Sequence, residues 1–232
     1  MNQADQIVIG AGEVGSALST VLNCPCIDKI GGTEKWKDAE IIHICFPYSE
    51  EFISEVYRYK KIFNPEYVII HSTVPLGTSR KCVAMHSPIR GLHPNLEEGI
   101  RTFVKFIGGD QVSEVADVFR RAGMKVMLFD EPETTEAMKL FDTLYYGVCV
   151  EFAKEVNRFC WENNLNFTEV YRMGNITYNK GYKELNHPEF ARPVLEPIMK
   201  PIGGHCVIQN AKLLKTDFSD FIDKLNNKVW PE

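Results

Sequence analysis

A run of apolar character, residues 6–10 (QIVIG), breaks straight into Gly10-Ala11-Gly12-Glu13-Val14-Gly15, and a helical pattern follows from Val14. Strand, glycine turn and helix in that order leave few ways to fold. The first glycine permits a tight turn, the second lets a ligand approach the backbone, and the third allows close packing of helix on strand. The helix start then offers N–H groups and a positive dipole to phosphate oxygens. The G-x-G-x-x-G spacing is weak alone and gains meaning from this context. Asp28 closes the next apolar run, 24–28, eighteen residues after Gly10 (28 − 10). A carboxylate there accepts hydrogen bonds from ribose hydroxyls and repels a 2′-phosphate, so NAD is the expected cofactor. Lys29 beside it softens that preference. The residues expected at the cofactor are Gly10, Gly12, Glu13, Val14, Gly15 and Asp28, with Pro47 at the end of the third apolar run. A glycine turn that merely joins strand to helix, or a domain for S-adenosylmethionine, are the alternatives.

Apolar runs at 6–10, 24–28, 40–46, 67–73, 103–108 and 125–130 alternate with helical patterns at 14–22, 50–61 and 111–123. That alternation predicts an α/β fold, a Rossmann-type parallel sheet with helices on both faces, over 1–130. The character changes after Asp130. Pro132, Glu133 and Glu136 suit a helix start, and apolar residues recur from Met138 to Phe159 on more than one face. A helix over 133–163 is expected, about 45 Å long at 1.5 Å per residue, packed on its own domain and on a second subunit. Residues 131–232 thus form a helical dimerisation and substrate segment, and the chain is expected to be a homodimer. Its tail carries Pro188, Pro193, Pro197 and Pro201, which predicts irregular loop before a short final helix over 211–227.

Composition narrows the partners. A net charge of −5 has no basic footprint for nucleic acid, and no apolar run approaches the ~20 residues that span a bilayer. The first residues lack a charged stretch followed by an apolar leader. The seven cysteines are scattered without paired CxxC units, so no metal site is expected and a reduced, cytoplasmic setting is. The remaining expected partner is a small-molecule substrate.

Three segments resemble the UDP-glucose/UDP-N-acetylmannosamine dehydrogenase family. His71-Ser72-Thr73-Val74-Pro75-Leu76-Gly77-Thr78 is similar to its STVPxGT turn, Gly203-Gly204-His205-Cys206-Val207 to its GGHC segment, and Glu136-Ala137-Met138-Lys139-Leu140 to the start of its central helix. The resemblance implies that Ser72 and Thr73 border the nicotinamide, that Cys206 is a nucleophile, and that Lys139 lies in the active site. A thiolate attacks the aldehyde made by a first hydride transfer, and an ammonium stabilises the developing oxyanion. The chain departs from the family at three positions: Ile89 stands for a water-activating glutamate, Thr143 for an asparagine, and Asn210 for an aspartate. It also ends soon after Cys206, so the family's second Rossmann domain has no counterpart. An NAD-dependent two-electron oxidation of a CH–OH group, on a small or sugar-like substrate, is therefore expected rather than the family's four-electron reaction.

Gly91-Leu92-His93-Pro94 carries a second resemblance, to prephenate and arogenate dehydrogenases. It implies that His93 polarises a substrate hydroxyl, with Ser72 accompanying it. A histidine near its reference pKa of ~6.5 suits proton transfer as hydride leaves. Arg90, Arg101 and Lys105 are either binders of a substrate anion or solvated surface groups. His43 reads as a satisfied core residue, and Tyr145, Tyr146, Phe152 and Phe159 as core or dimer interface. A third reading lies outside catalysis: a dinucleotide-binding sensor or assembly protein.

Overall fold

The computed structural model describes residues 5–28, 36, 38–91, 94–198, 200–203 and 206–227. The chain divides into two compact units, Met1–Lys139 and Leu140–Glu232.

The first unit is built on a seven-stranded sheet. Its strands are β1 (Gln6–Ile9), β2 (Cys26–Ile27), β3 (Ile41–Ile44), β4 (Tyr67–Ile70), β5 (Met85–His86), β6 (Lys105–Gly108) and β7 (Val126–Phe129). Their spatial order is β2-β1-β3-β4-β5-β6-β7. All neighbours pair in parallel except β5 and β6. Helices α1 (Glu13–Leu22), α2 (Phe52–Phe63), α3 (Thr78–Lys81), α4 (Leu96–Thr102) and α5 (Val112–Arg121) connect them, and α6 (Pro132–Glu162) follows β7. Every residue of β1, β3 and β4 is buried, as a sheet covered on both faces requires. Alternation sorts them: Val8 packs with Leu18, Leu96, Val115 and Phe119, whereas Ile7 and Ile9 pack with Phe52, Val56 and Phe63. Asn23 and Asn64, both left-handed, end α1 and α2 and turn the chain into the next strand.

The expected α/β Rossmann-type sheet is the observed one. Three elements of this unit carried no sequence signal, α3, β5 and α4. The strand is two residues long, too short to show a period.

The helical unit continues α6 into a π-helical turn (Thr168–Met173), α7 (Gly174–Glu184), a 3₁₀ turn (Pro188–Phe190), α8 (Val207–Leu214) and α9 (Asp217–Asn226). One helix was expected over 211–227, and two are present. Left-handed Lys215 ends α8, and Thr216 starts α9 with a capping box to Ser219. The core here is small: Leu144, Ala211 and Ile222, with Val148, Ile208 and Leu214 against them. A Cβ on Gly147 would stand 2.5 Å from Val207 Cγ1, so glycine is what lets α8 approach α6. Tyr145, Tyr146, Phe152 and Phe159 are each more than half exposed, which removes the core reading of that group. Among the described residues no helix is long and apolar enough to cross a membrane.

A candidate site at the carboxyl ends of the strands

The chain runs from β1 to β2 on one side, then crosses to β3 on the other side of β1. In open α/β sheets, ligands bind at that switch point, outside the carboxyl ends of the strands. Gly10 follows β1 there with φ +108°, and a Cβ on it would lie 2.7 Å from Phe46 N. A Cβ on Gly15 would lie 1.8 Å from Gly10 O. Both glycines are therefore demanded by the protein's own backbone. Gly12 differs. It caps α1 with no side-chain hydrogen bond, and a Cβ on it would meet nothing within 4 Å. The space above the first turn of a ten-residue helix is open to a ligand, which fits a pyrophosphate on its dipole.

Asp28, just past β2, is exposed and accepts a hydrogen bond from Ala11 N at 3.3 Å through Oδ1. Its carboxylate thus lies at the glycine turn. Glu13 is exposed and Val14 half-buried against the core. Pro47 is exposed after β3. Ser72 is buried, and its Oγ donates to Phe46 O at 2.6 Å, tying the ends of β3 and β4 together; Thr73 beside it is half-buried.

Beyond β4 the turn is held from α6. Both oxygens of buried Glu136 are engaged, Oε2 by Gly77 N at 2.6 Å and Oε1 by Ser79 N at 2.7 Å. Lys139, one turn further along the helix, donates to Ile89 O at 2.9 Å. The side chain of Ile89 sits in the core, so the position aligned with the resemblance's glutamate contributes a carbonyl instead.

The basic group suggested for a substrate anion is differently placed. Lys105 is buried and donates to Ser87 O at 2.7 Å and Pro88 O at 3.1 Å. Arg90 donates to Val104 O and covers the Phe106 ring at 4.0 Å. Arg101 donates to Ala122 O. Neither Lys105 nor Arg90 is a solvated surface group. His43 is the satisfied core residue that was expected: Nδ1 meets His71 Nε2 at 2.9 Å and Nε2 meets Gln6 Oε1 at 3.1 Å. Burial first, then the charge of Lys105, holds the His43 imidazole down at about 3 and His71 well below its usual range. His86 is likewise held at about 3 by burial, although a bond to Ser72 O opposes this.

Sequence reasoning missed this buried polar chain. The signal was present in a lysine inside an apolar strand, FVKFIG, and a histidine closing another, YVIIH.

In the helical unit, Cys206 is exposed at the start of α8. Two departures from the family pattern meet one another: Asn210 Nδ2 donates to Thr143 Oγ1 at 3.3 Å, and Thr143 donates to Leu140 O. His93 lies outside the described residues, as do Gly204 and His205. Among the described residues no group of histidines, cysteines and carboxylates could hold a metal ion.

No protein-family model matches the chain, and no curated protein matches it. Solved structures do. The chain is similar to the UDP-D-ManNAc dehydrogenase of Pyrococcus horikoshii at 16% identity and a TM-score of 0.79, over 97% of its own length and 68% of that chain. The UDP-N-acetyl-mannosamine dehydrogenase of Staphylococcus aureus is 19% identical, with a TM-score of 0.66 over 97% of this chain and 68% of that one. The 3-hydroxyisobutyrate dehydrogenase of Mycobacterium tuberculosis is 13% identical, with a TM-score of 0.67 over 95% of this chain and 91% of that one. The fold is therefore the Rossmann-type α/β fold followed by helices that these dehydrogenases share.

Proposed function

We propose that the chain is an NAD-dependent oxidoreductase of the nucleotide-sugar dehydrogenase kind, acting on a CH–OH group of a small or sugar-like substrate. One observation carries the reading: Gly12 leaves open space over an uncapped helix start while Asp28 stands at the same turn, bonded to Ala11 N. That combination suits a diphosphate with a ribose whose 2′-hydroxyl is free. A bound nicotinamide dinucleotide supplies the hydride acceptor. Gly10, Gly12, Glu13, Val14, Gly15, Asp28, Pro47, Ser72 and Thr73 would hold it.

The chain's own residues do the rest. Lys139 places an ammonium at the Ser87–Ile89 segment, where it stabilises negative charge developing on the substrate oxygen. Cys206 supplies an exposed thiol that adds reversibly to the carbonyl carbon of an aldehyde product, its proton passing to the carbonyl oxygen, and leaves again when the product is released. With Ile89 apolar and buried, no carboxylate at that position activates water, so alcohol to carbonyl with release of one proton is the favoured reaction. The likeness to 3-hydroxyisobutyrate dehydrogenase over nearly the whole of that chain favours a second reading, a small hydroxy acid as substrate. A homodimer, in a reducing cytoplasm, completes the proposal.

NADH formation is followed over a panel of nucleotide sugars and hydroxy acids with the wild type, Lys139→Met and Cys206→Ala. Turnover that Lys139→Met abolishes supports the reading. Turnover indifferent to both substitutions moves the chemistry to His93. Absence of turnover with tight NAD binding leaves a sensor.

A further inference from the structure

Three consecutive carbonyls, those of Ser87, Pro88 and Ile89, are all taken by two amines. Lys105 Nζ binds the first two and Lys139 Nζ binds the third. The segment is fastened on its other side as well, since Ser87 N donates to Ile70 O and Ser87 Oγ to Phe106 O. It therefore has little slack of its own, and the position of Ile89 O follows the hold that Lys105 has on its two neighbours.

The third neighbour of Lys105 sets the chemistry. His71 Nδ1 lies 3.2 Å from Lys105 Nζ and 2.6 Å from Ser87 O. A carbonyl only accepts, so Nδ1 carries a hydrogen and donates to Ser87 O. An ammonium at Lys105 then meets two carbonyls and one N–H, with its third hydrogen unsatisfied in that direction. A neutral amine presents its lone pair there instead, and keeps two hydrogens for the carbonyls. The charged and titratable groups around it come from every element packed against it, and they do not all act in one direction. His43 comes from β3 and Cys45 from just past it, His71 from the residue after β4, His86 from β5, Arg90 from the loop beyond and Lys139 from α6, while α5 contributes the Phe119 ring at 5.6 Å. Burial is the largest cause that brings the Lys105 ammonium down to about 7, with Cys45 opposing and Lys139 and Arg90 adding to it.

We propose that Lys105 is a positioning residue, which gains and loses a proton in place and thereby tightens or slackens the Ser87–Ile89 backbone that presents the acceptor to Lys139. The consequence for turnover rests on the catalytic reading of Lys139; the structural coupling does not.

The test is a titration of protein labelled with ¹³C at the lysine ε carbons, read by NMR without cofactor or substrate. Lys105→Met and Lys139→Met assign the two signals. The expected result is a Lys105 signal with a midpoint at about 7 and an inflection of the Lys139 signal at the same pH. In Lys105→Met that inflection disappears. In Lys139→Met the Lys105 midpoint moves up, because a like charge has gone. A Lys105 signal that titrates only in the ordinary lysine range overturns the proposal, as does a Lys139 signal flat through neutrality. Persistence of the inflection in Lys105→Met does the same. If Lys105→Met does not fold, the wild type and Lys139→Met decide the question. Nicotinamide binding failing with this titration intact would defeat the oxidoreductase reading alone; the reverse pattern would defeat the coupling alone. Where turnover is found, the neutral limb of its kcat/KM profile should be lost in Lys105→Met.

Discussion

The sheet unit and the helical unit bury their apolar residues to very different degrees. In the first, Phe52 and Phe119 are fully covered, and both faces of β1 are filled. In the second, Phe152 is 60% exposed, Phe159 54% and Trp161 70%, and the core cluster described there has only Leu144, Ala211 and Ile222 as its buried members. A parallel sheet between helices completes itself within one chain. A long helix with apolar residues on several faces does not, and the uncovered ones are what a second copy would cover in the proposed dimer.

The largest expected contrast lies inside the glycine turn. Gly15→Ala pushes a Cβ to 1.8 Å from Gly10 O, so thermal denaturation should show loss of several kcal/mol or failure to fold. Gly12→Ala meets open space and should leave the melting temperature within error. A large drop in stability for Gly12→Ala would end the distinction between a fold glycine and a ligand glycine.

Next comes the contrast between units. Phe119→Ala in the sheet core should cost about 3–5 kcal/mol in urea unfolding. Phe159→Ala should change single-chain stability by less than about 0.5 kcal/mol. Substituting glutamate at Phe152 and Phe159 together should convert a dimer to a monomer in light scattering. A wild type that is already monomeric at micromolar concentration would remove the explanation for the exposed face.

A pH effect belongs to the sheet unit. His43, His71 and His86 are held neutral when folded and take up protons more readily when unfolded. For His43 the folded value, about 3, lies below the ordinary one of 6.5, so the contribution is whole above 6.5 and is lost as pH falls toward 3. Denaturation of the wild type should steepen over that window, and His43→Phe should reduce the slope while His71 and His86 keep the rest of it. An unchanged slope would show that His43 is protonated in the fold.

The smallest effect is the Thr143–Asn210 contact. Asn210→Ala should cost about 0.5–1.5 kcal/mol, the worth of a single neutral hydrogen bond. A larger cost would mean that this pair holds α8 in place.

The contrast between units also governs what sequence reveals. Strand β1, its glycine turn and Asp28 were legible because each needs a specific residue type at a fixed spacing, and local chemistry selects it. The strands at 41–44, 67–70, 105–108 and 126–129 showed as short apolar runs for the same reason. Helix α7 did not show, because none of its residues is buried and no apolar stripe marks it. The π-helical turn before it leaves no periodic trace either. In the site, Lys139 could be named from a motif, but its partner is the carbonyl of Ile89, and a carbonyl belongs to every residue. The Lys105–His71–His43–Gln6 chain joins β6, the end of β4, β3 and β1, which are far apart in sequence, so only the assembled sheet, with β5 between β4 and β6, brings it together.

The most direct measurement is calorimetric titration of the wild type and Gly12→Ala with NADH. NADH should bind the wild type and fail to bind an equally stable Gly12→Ala, with NADPH weaker because of Asp28. Equal binding to both proteins, or none to the wild type, would contradict a dinucleotide site at this turn.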